Sequence, residues 1–423
     1  MVTHAVADPM PEIAQKHVPE LAPWFARAPG RERGHVAIIG AGIAGCATAA
    51  ALMRRGWSTT LIDRNDDIAL GASGNPVGIL MPRVTAAPSF ESRFSGTAWR
   101  FLLRTLDNIG EVGFERCGVL QLADDETDGE RLKAIASAAE LAGPLTHLSA
   151  QEASDFAGCH LGRSALLFPQ AGCIDPRALC TALATGARRV FATDVMEVRR
   201  AGDGFELAGT YADVVVFANG LGASSFPLAH WLPLAARRGQ LTLAQPSATS
   251  AHLRCVLSYG GYITPAIHNQ HAIGATFDWI DDPTGVQEVV TEDHARNLAE
   301  LARVAPALMA GRAAHDCEGR AALRCTTPDH LPIVGPLPDQ AAYLTDYAQL
   351  RHGQHWVRYP AATYHPGMYL LTGLGARGLT EAALAAELLA CHITGEPWPL
   401  DQDLVTALHP ARFLVRDLKR LKG

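Results

Sequence analysis

The chain has 423 residues, 48% apolar and 19% charged, so it can bury a large core, is neither disordered nor collagen-like, and is long enough for two lobes. A net charge of -7 excludes a protein whose whole surface binds nucleic acid and leaves only a local basic patch for that purpose. No stretch approaches the roughly 18–20 apolar residues of a membrane-spanning helix, and Met1 to Arg33 lacks a signal-peptide core, which predicts a cytoplasmic protein without membrane contact.

Residues 1–33 carry several prolines and no periodicity, and read as a leader or linker ending in Pro23-Trp24-Phe25 and Pro29-Gly30-Arg31-Glu32-Arg33. From His35 a short apolar run meets Gly40, an Ala-rich segment from Ile43 to Arg55 stops at Gly56, and a second strand runs from Trp57 to Asp63. This is a βαβ unit. Gly118–Leu122 and the stretch from Gly239 to Phe277 read as antiparallel strands of an inserted lobe. Asp175-Pro176 opens a helix through Leu183, and Asp213–Phe217 is a buried strand ending in Ala218-Asn219-Gly220. The fold class is therefore α/β (α+β overall), a Rossmann-like domain with an interleaved antiparallel-sheet substrate domain. Residues 34–110, 146–225 and 320–400 are expected in the dinucleotide lobe and 111–145 and 226–319 in the substrate lobe, with 401–423 a basic C-terminal helix.

Gly40-Ala41-Gly42-Ile43-Ala44-Gly45 is a GxGxxG placed between strand and helix. Gly40 permits the sharp turn, Gly42 lets the backbone approach a pyrophosphate, and Gly45 lets the helix pack on the sheet. Asp63, 18 residues after Gly45 and followed by Arg64, stands where a carboxylate accepts hydrogen bonds from ribose hydroxyls. Two further segments favour FAD over NAD. Gly71-Ala72-Ser73-Gly74-Asn75 offers small residues and backbone donors, and Gly373-Leu374-Gly375-Ala376-Arg377-Gly378-Leu379-Thr380 is a second glycine-rich helix start able to hold charge on a flavin. Val195, Ala218, Asn219 and Gly220 complete the expected cofactor contacts.

These blocks, with Arg54-Arg55-Gly56-Trp57, Arg324-Cys325-Thr326-Thr327-Pro328-Asp329-His330-Leu331-Pro332-Ile333-Val334-Gly335 and His409-Pro410-Ala411-Arg412-Phe413-Leu414, resemble the D-amino-acid oxidase/glycine oxidase superfamily of FAD-dependent amine oxidases. Within it the chain is similar to the FAD-dependent oxidoreductase domain of the bacterial tRNA 5-methylaminomethyl-2-thiouridine biosynthesis enzymes. The resemblance implies a glycine-oxidase-like fold, FAD, and a tRNA substrate whose wobble uridine carries a carboxymethylaminomethyl group. Oxidation of that CH₂–N bond and hydrolysis of the imine leave 5-aminomethyl-uridine and glyoxylate, and oxygen reoxidises the flavin. The alternative is an oxidase of a free small amino acid or amine such as glycine, sarcosine or a D-amino acid; a non-catalytic flavoprotein that binds tRNA is a third reading. The family's long form carries a methyltransferase domain ahead of this one, and the leader is too short to hold it, so a separate methyltransferase is an expected partner unless the pathway stops at oxidation.

Arg324 matches the family's carboxylate-binding arginine, and a guanidinium fork suits that ligand; the other possibility is a structural pair with Asp329 or another acid. Tyr259 and Tyr262, three apart on an expected strand, point to opposite faces unless Gly260-Gly261 forms a bulge, so one of them is a candidate to hold the carboxylate. Arg377 either reaches the flavin or caps its turn. The nine cysteines show no CxxC pair and suit reduced thiols, and Cys325 does not stand at the offset where sarcosine oxidases attach flavin, so the FAD is expected to be non-covalent. His352 and His355 lack a third ligand, and no metal is expected. The tail holds Arg412, Arg416, Lys419, Arg420 and Lys422 against one acid, Asp417, with Leu414, Leu418 and Leu421 on another helical face. It is either a phosphate-contacting strip or a solvated helix.

Overall fold

The computed structural model describes residues 21–138, 143–281, 288–309, 311–352 and 357–420. One lobe is a six-stranded sheet in the order 333–338, 364–372, 214–217, 35–39, 58–62, 188–190, parallel throughout except for the 333–338 strand. Its central strands are apolar on both sides because both faces are covered. Val36, Ile38, Val214 and Val216 face the helices Ile43–Met53 and Gly378–Thr394, whereas Ala37, Ile39, Val215 and Phe217 pack into a second cluster with Phe205 and Phe413. The expected helix after Asp175 is Pro176–Leu183, its first turn capped by the Asp175 carboxylate, which accepts from the amides of Arg177 (2.8 Å) and Ala178 (3.0 Å).

The second lobe is a nine-stranded, largely antiparallel sheet. Its long strand Ala235–Ala244 pairs through Ala235–Leu243 with Glu318–Thr326 on one side, and with His271–Gly274 and Asp278–Ile280 on the other. One face, with Leu120, Leu257, Ile263 and Ile273, packs on the helix Thr291–Val304; the other, with Val119, Val256 and Leu241, joins the core of the first lobe.

The strand pairing departs from the expected boundaries in two places. Strands Thr146–Leu148 and Ala165–Phe168 pair into the nine-stranded sheet rather than the dinucleotide lobe, because Ala165–Phe168 pairs with Val119–Leu122 on one side and with Thr146–Leu148 on the other. The strand carrying Arg324 belongs to that sheet as well, for its whole backbone ladder runs to Ala235–Leu243. The described part of the leader docks on the body of the chain. Trp24 packs edge-on against Tyr347 and Tyr359, and the Tyr343 and Tyr364 hydroxyls donate to the carbonyls of Trp24 (2.8 Å) and Ala26 (2.7 Å). Residues 1–20, His355, Leu421 and Lys422 lie outside the described residues. Among the described residues no helix is long and apolar enough to cross a membrane.

Candidate active site

The fingerprint turn is built by steric necessity. Gly40 has φ +107°, and a Cβ there would lie 2.7 Å from the Ala218 carbonyl oxygen; a Cβ on Gly45 would overlap the Gly40 carbonyl. Gly42 differs, for a Cβ there would meet only Ser73 Oγ, at 3.2 Å. The chain's own packing therefore explains the first and third glycines and leaves space in front of the second. Ile43 and Ala44 are buried in the first helical turn, and the Ile43 amide donates to Ser73 Oγ (3.0 Å), tying the 71–75 loop to the fingerprint. The Asp63 carboxylate accepts from the Ala41 amide (2.7 Å) and from the Asn65 amide and side chain (2.9 Å each), at the end of the second strand; Arg64 beside it is exposed.

Around this opening the other candidates converge from distant segments. Asn219 lies beside Gly40, and its Oδ1 is buried without a hydrogen-bond partner among the described residues. Thr372 Oγ1 donates to the Gly220 carbonyl (2.9 Å), and the Gly375 amide to the Cys325 carbonyl (2.8 Å). Gly378 opens a 17-residue helix at van der Waals distance from Ile43, so two helix N-termini meet here. Gly373 and Gly375 have φ of +73° and +57°. Leu379 packs on Gly78, Thr380 donates to the Met81 carbonyl (3.3 Å), and Ala376, Gly71 and Ala72 are exposed. Arg377 is partly buried with Glu381 and Arg83 as charged neighbours, and burial lowers its pKa. Val195 buries its side chain in the cluster containing Ile39, Ile62 and Phe217. An unpartnered buried acceptor, an open glycine frontage and two helix starts fit a dinucleotide carrying a flavin.

Arg324 lies directly opposite Arg237 on the neighbouring strand, and its guanidinium spreads diagonally across Gly239. A Cβ on Gly239 would come within 2.7 Å of Nη2 and closer still to Nη1 and Cζ. Nη1 donates to the Thr276 carbonyl (3.2 Å), and the ring of Phe277 stands 5.5 Å away. None of the ion pairs among the described residues involves Arg324. Asp329, the expected alternative partner, is held by Arg412 in a two-pronged pair of 2.8 and 3.0 Å.

Tyr262 shares the Arg324 face. Burial pushes its hydroxyl up to about 12, while the neighbouring guanidinium pulls it back, so the phenol remains a proton donor at neutral pH. Tyr259, the other candidate, lies elsewhere. Residues 259–261 form the turn of a hairpin in which Ser258 pairs with Tyr262, and Tyr259 packs against the cluster that contains Leu257 and Ile263, its hydroxyl buried without a partner among the described residues. Cys325 approaches Thr372 Oγ1 at 3.5 Å, and burial raises its thiol pKa, the opposite of an activated nucleophile.

Two residues escaped the sequence reading. Arg320, four before Arg324 and therefore on the same strand face, donates to Asn75 Oδ1 (2.9 Å) and to the carbonyls of Leu70 (2.8 Å) and Gly71 (2.5 Å), with no acid partner among the described ion pairs. Gly239 makes the hollow for Arg324. The i, i+4 spacing of the two arginines was the available signal for the first; the second depends on strand register, which no local pattern reports.

Residues 35–392 match the sequence model of the family described as FAD dependent oxidoreductase (DAO). The chain belongs to the DAO family. DAO proteins are FAD-dependent oxidoreductases, which accounts for the opening in front of Gly42 and the strand ends around it. Relatives include the tRNA 5-methylaminomethyl-2-thiouridine biosynthesis bifunctional protein MnmC of Pseudomonas paraeruginosa, 39% identical over 412 residues, covering 94% of this chain and 62% of that protein. Its counterpart from Chromobacterium violaceum is 38% identical, with 95% and 63% covered. The chain thus spans under two thirds of these bifunctional relatives. Among solved DAO-like folds, glycine oxidase from Geobacillus kaustophilus superposes with a TM-score of 0.71 at 20% identity, covering 90% of this chain and 99% of that one. Iminodiacetate oxidase from Chelativorans sp. BNC1 gives 0.67 at 23% identity, with 86% and 96% covered.

Proposed function

We propose that the chain oxidises the carboxymethylaminomethyl side chain of the wobble uridine in tRNA, giving the 5-aminomethyl nucleoside, glyoxylate and hydrogen peroxide from the secondary amine, water and oxygen. The observation that carries this reading is Arg324: a partly buried guanidinium with no acid partner among the described ion pairs, beside a protonated phenol, on the sheet face that also holds the dinucleotide loop. Such a site lacks an anion, and a carboxylate matches its fork. The names of the bifunctional relatives, with their tRNA product, select this carboxylate over a free amino acid.

FAD would supply the two-electron oxidation of the CH₂–N bond when bound, held without a covalent link, since burial raises the Cys325 thiol. Gly40, Gly42 and Ile43 would hold its pyrophosphate, Asp63 its ribose, and Asn219 and the Gly373–Thr380 turn the remainder. Arg324 binds the substrate carboxylate, Tyr262 donates a hydrogen bond to it from a neutral hydroxyl, and together they fix the CH₂ in one orientation. Arg320 holds Leu70, Gly71 and Asn75 at a fixed height above the strand that carries Arg324. Water then splits the imine into amine and aldehyde.

The test is incubation of the holoprotein with tRNA bearing the modification, followed by glyoxylate assay and nucleoside mass spectrometry. Loss of the carboxymethyl unit with stoichiometric glyoxylate is expected, and Arg324→Ala should lose it while keeping FAD. Faster turnover of free glycine or sarcosine than of the tRNA would refute the assignment in favour of a small-amine oxidase.

A further inference from the structure

Beyond the carboxylate site, the same strand face carries a surface that the oxidation itself does not use. In one register row across three strands stand Trp279, Arg237 and Arg324. Trp279 is 66% exposed, and Phe277, two residues earlier on the same face, is 43% exposed. The Arg237 guanidinium lies over the Trp279 ring and 5.1 Å from the Phe277 ring, so it presents the aromatics as one cationic ledge. Directly opposed like charges are unfavourable on a sheet, yet none of the ion pairs among the described residues involves Arg237 or Arg324. Asp278, between the aromatics in sequence, points to the other face, where Arg296 grips it at 2.8 Å through both oxygens. Two positive charges on one face therefore await two anions. The substrate carboxylate is one; a second, with a flat apolar group beside it, is what a phosphodiester and its base present.

We infer that Trp279, Phe277 and Arg237 form a stacking platform for an unpaired RNA base next to the oxidised uridine, with Arg237 facing the intervening phosphate. The inference rests on the proposed tRNA substrate. Two strand spacings, about 10 Å, separate the Arg324 and Trp279 backbones, a reach that a neighbouring nucleotide covers. Aromatic stacking tolerates any base, so the platform holds the loop without reading its sequence.

The experiment uses the holoprotein and an anticodon stem–loop RNA with 2-aminopurine beside the wobble uridine. Binding to the parent should quench indole emission and alter 2-aminopurine emission. Trp279→Ala, with flavin content retained, should bind roughly tenfold more weakly, and Trp279→Phe should recover most of the affinity while losing the indole quench. If Trp279→Ala fails to fold, Trp279→Phe decides alone, since a quench that persists in it overturns the platform. Equal RNA affinity of parent and Trp279→Ala overturns it too, as does a change from dimer to monomer with RNA affinity unchanged, which would make the ledge a contact between copies. Weaker RNA binding by Trp279→Ala, in a protein whose parent releases no glyoxylate from tRNA, keeps the platform and sinks the proposed oxidation. Glyoxylate release that ignores Trp279 does the reverse.

Discussion

Gly239→Ala is the smallest change that separates the position of the Arg324 guanidinium from its presence. Gly239 lies inside the strand Ala235–Ala244 and outside the left-handed backbone region, so alanine fits the chain there and should leave folding stability equal or about 0.4–1 kcal/mol higher. Its Cβ, however, would sit within 2.7 Å of Nη2 and overlap Nη1 and Cζ. Ordinary carbon contacts begin near 3.5 Å, so the guanidinium must retreat by about 1 Å or more, and a flexible side chain can do so. Misplacement on that scale costs on the order of 100-fold in rate, about 2.7 kcal/mol. Stopped-flow reduction of bound flavin by modified tRNA, with parallel FAD quantitation and thermal melting, should show that loss in kcat/KM at unchanged flavin content and melting temperature. In an Arg324→Ala background the same substitution should cost less than about twofold, because the group it displaces is gone. Parental kinetics in Gly239→Ala, or an equal loss in both backgrounds, would refute the assignment of Arg324.

Gly42→Val should yield colourless protein of near-native stability, since that position faces space the chain itself does not fill; a fully loaded yellow protein would move the pyrophosphate elsewhere. Arg412→Ala should destabilise by about 1–3 kcal/mol by leaving the part-exposed Asp329 carboxylate unpaired, as measured by urea melts. Burial holds the Glu381 carboxyl at about 7, against Arg377 and Arg83, so the folded chain keeps a proton that the unfolded chain releases near 4.5. The resulting stabilisation is complete below about pH 4.5 and vanishes as pH rises through 7, up to about 3 kcal/mol, and Glu381→Gln should flatten that slope in melts from pH 5 to 8. Replacing Arg416, Lys419 and Arg420 together by alanine should flatten the salt dependence of tRNA binding by up to about two phosphate contacts; an unchanged salt series would make the tail a purely structural helix.

The cofactor half of the site was legible because its causes are local. Gly40 and Gly45 are forced by a turn six residues long, and Asp63 follows from the length of one βαβ unit. The substrate half depends on long-range pairing. Whether Tyr259 or Tyr262 meets Arg324 turned on the Gly260-Gly261 segment being a hairpin turn rather than a bulged strand, which both spacings allow. The hollow at Gly239 exists only because residues 237 and 324 fall in register across 87 positions of sequence. Charge counting misled at the tail, where Arg412 looks identical to Arg416 and Arg420 in sequence. The helix face it occupies turns it inward to Asp329, while Arg416 meets Asp417 and Lys419 lies over Trp24, so the expected strip is narrower than the count implied.

The docked C-terminal helix sets the limits of what can be expressed as a stable piece. The match to the family model ends at residue 392, but the folding unit does not. Leu414, Val415 and Leu418 close a cluster with Tyr343, Tyr347 and Leu350 that also receives Trp24 and Phe25 from the opposite end of the described chain. Cutting at that boundary would strip one wall from this aromatic box and release the turn after the Arg324 strand. A shortened protein would then report poor activity for reasons of architecture, and trimming before Trp24 would breach the same box from the other side.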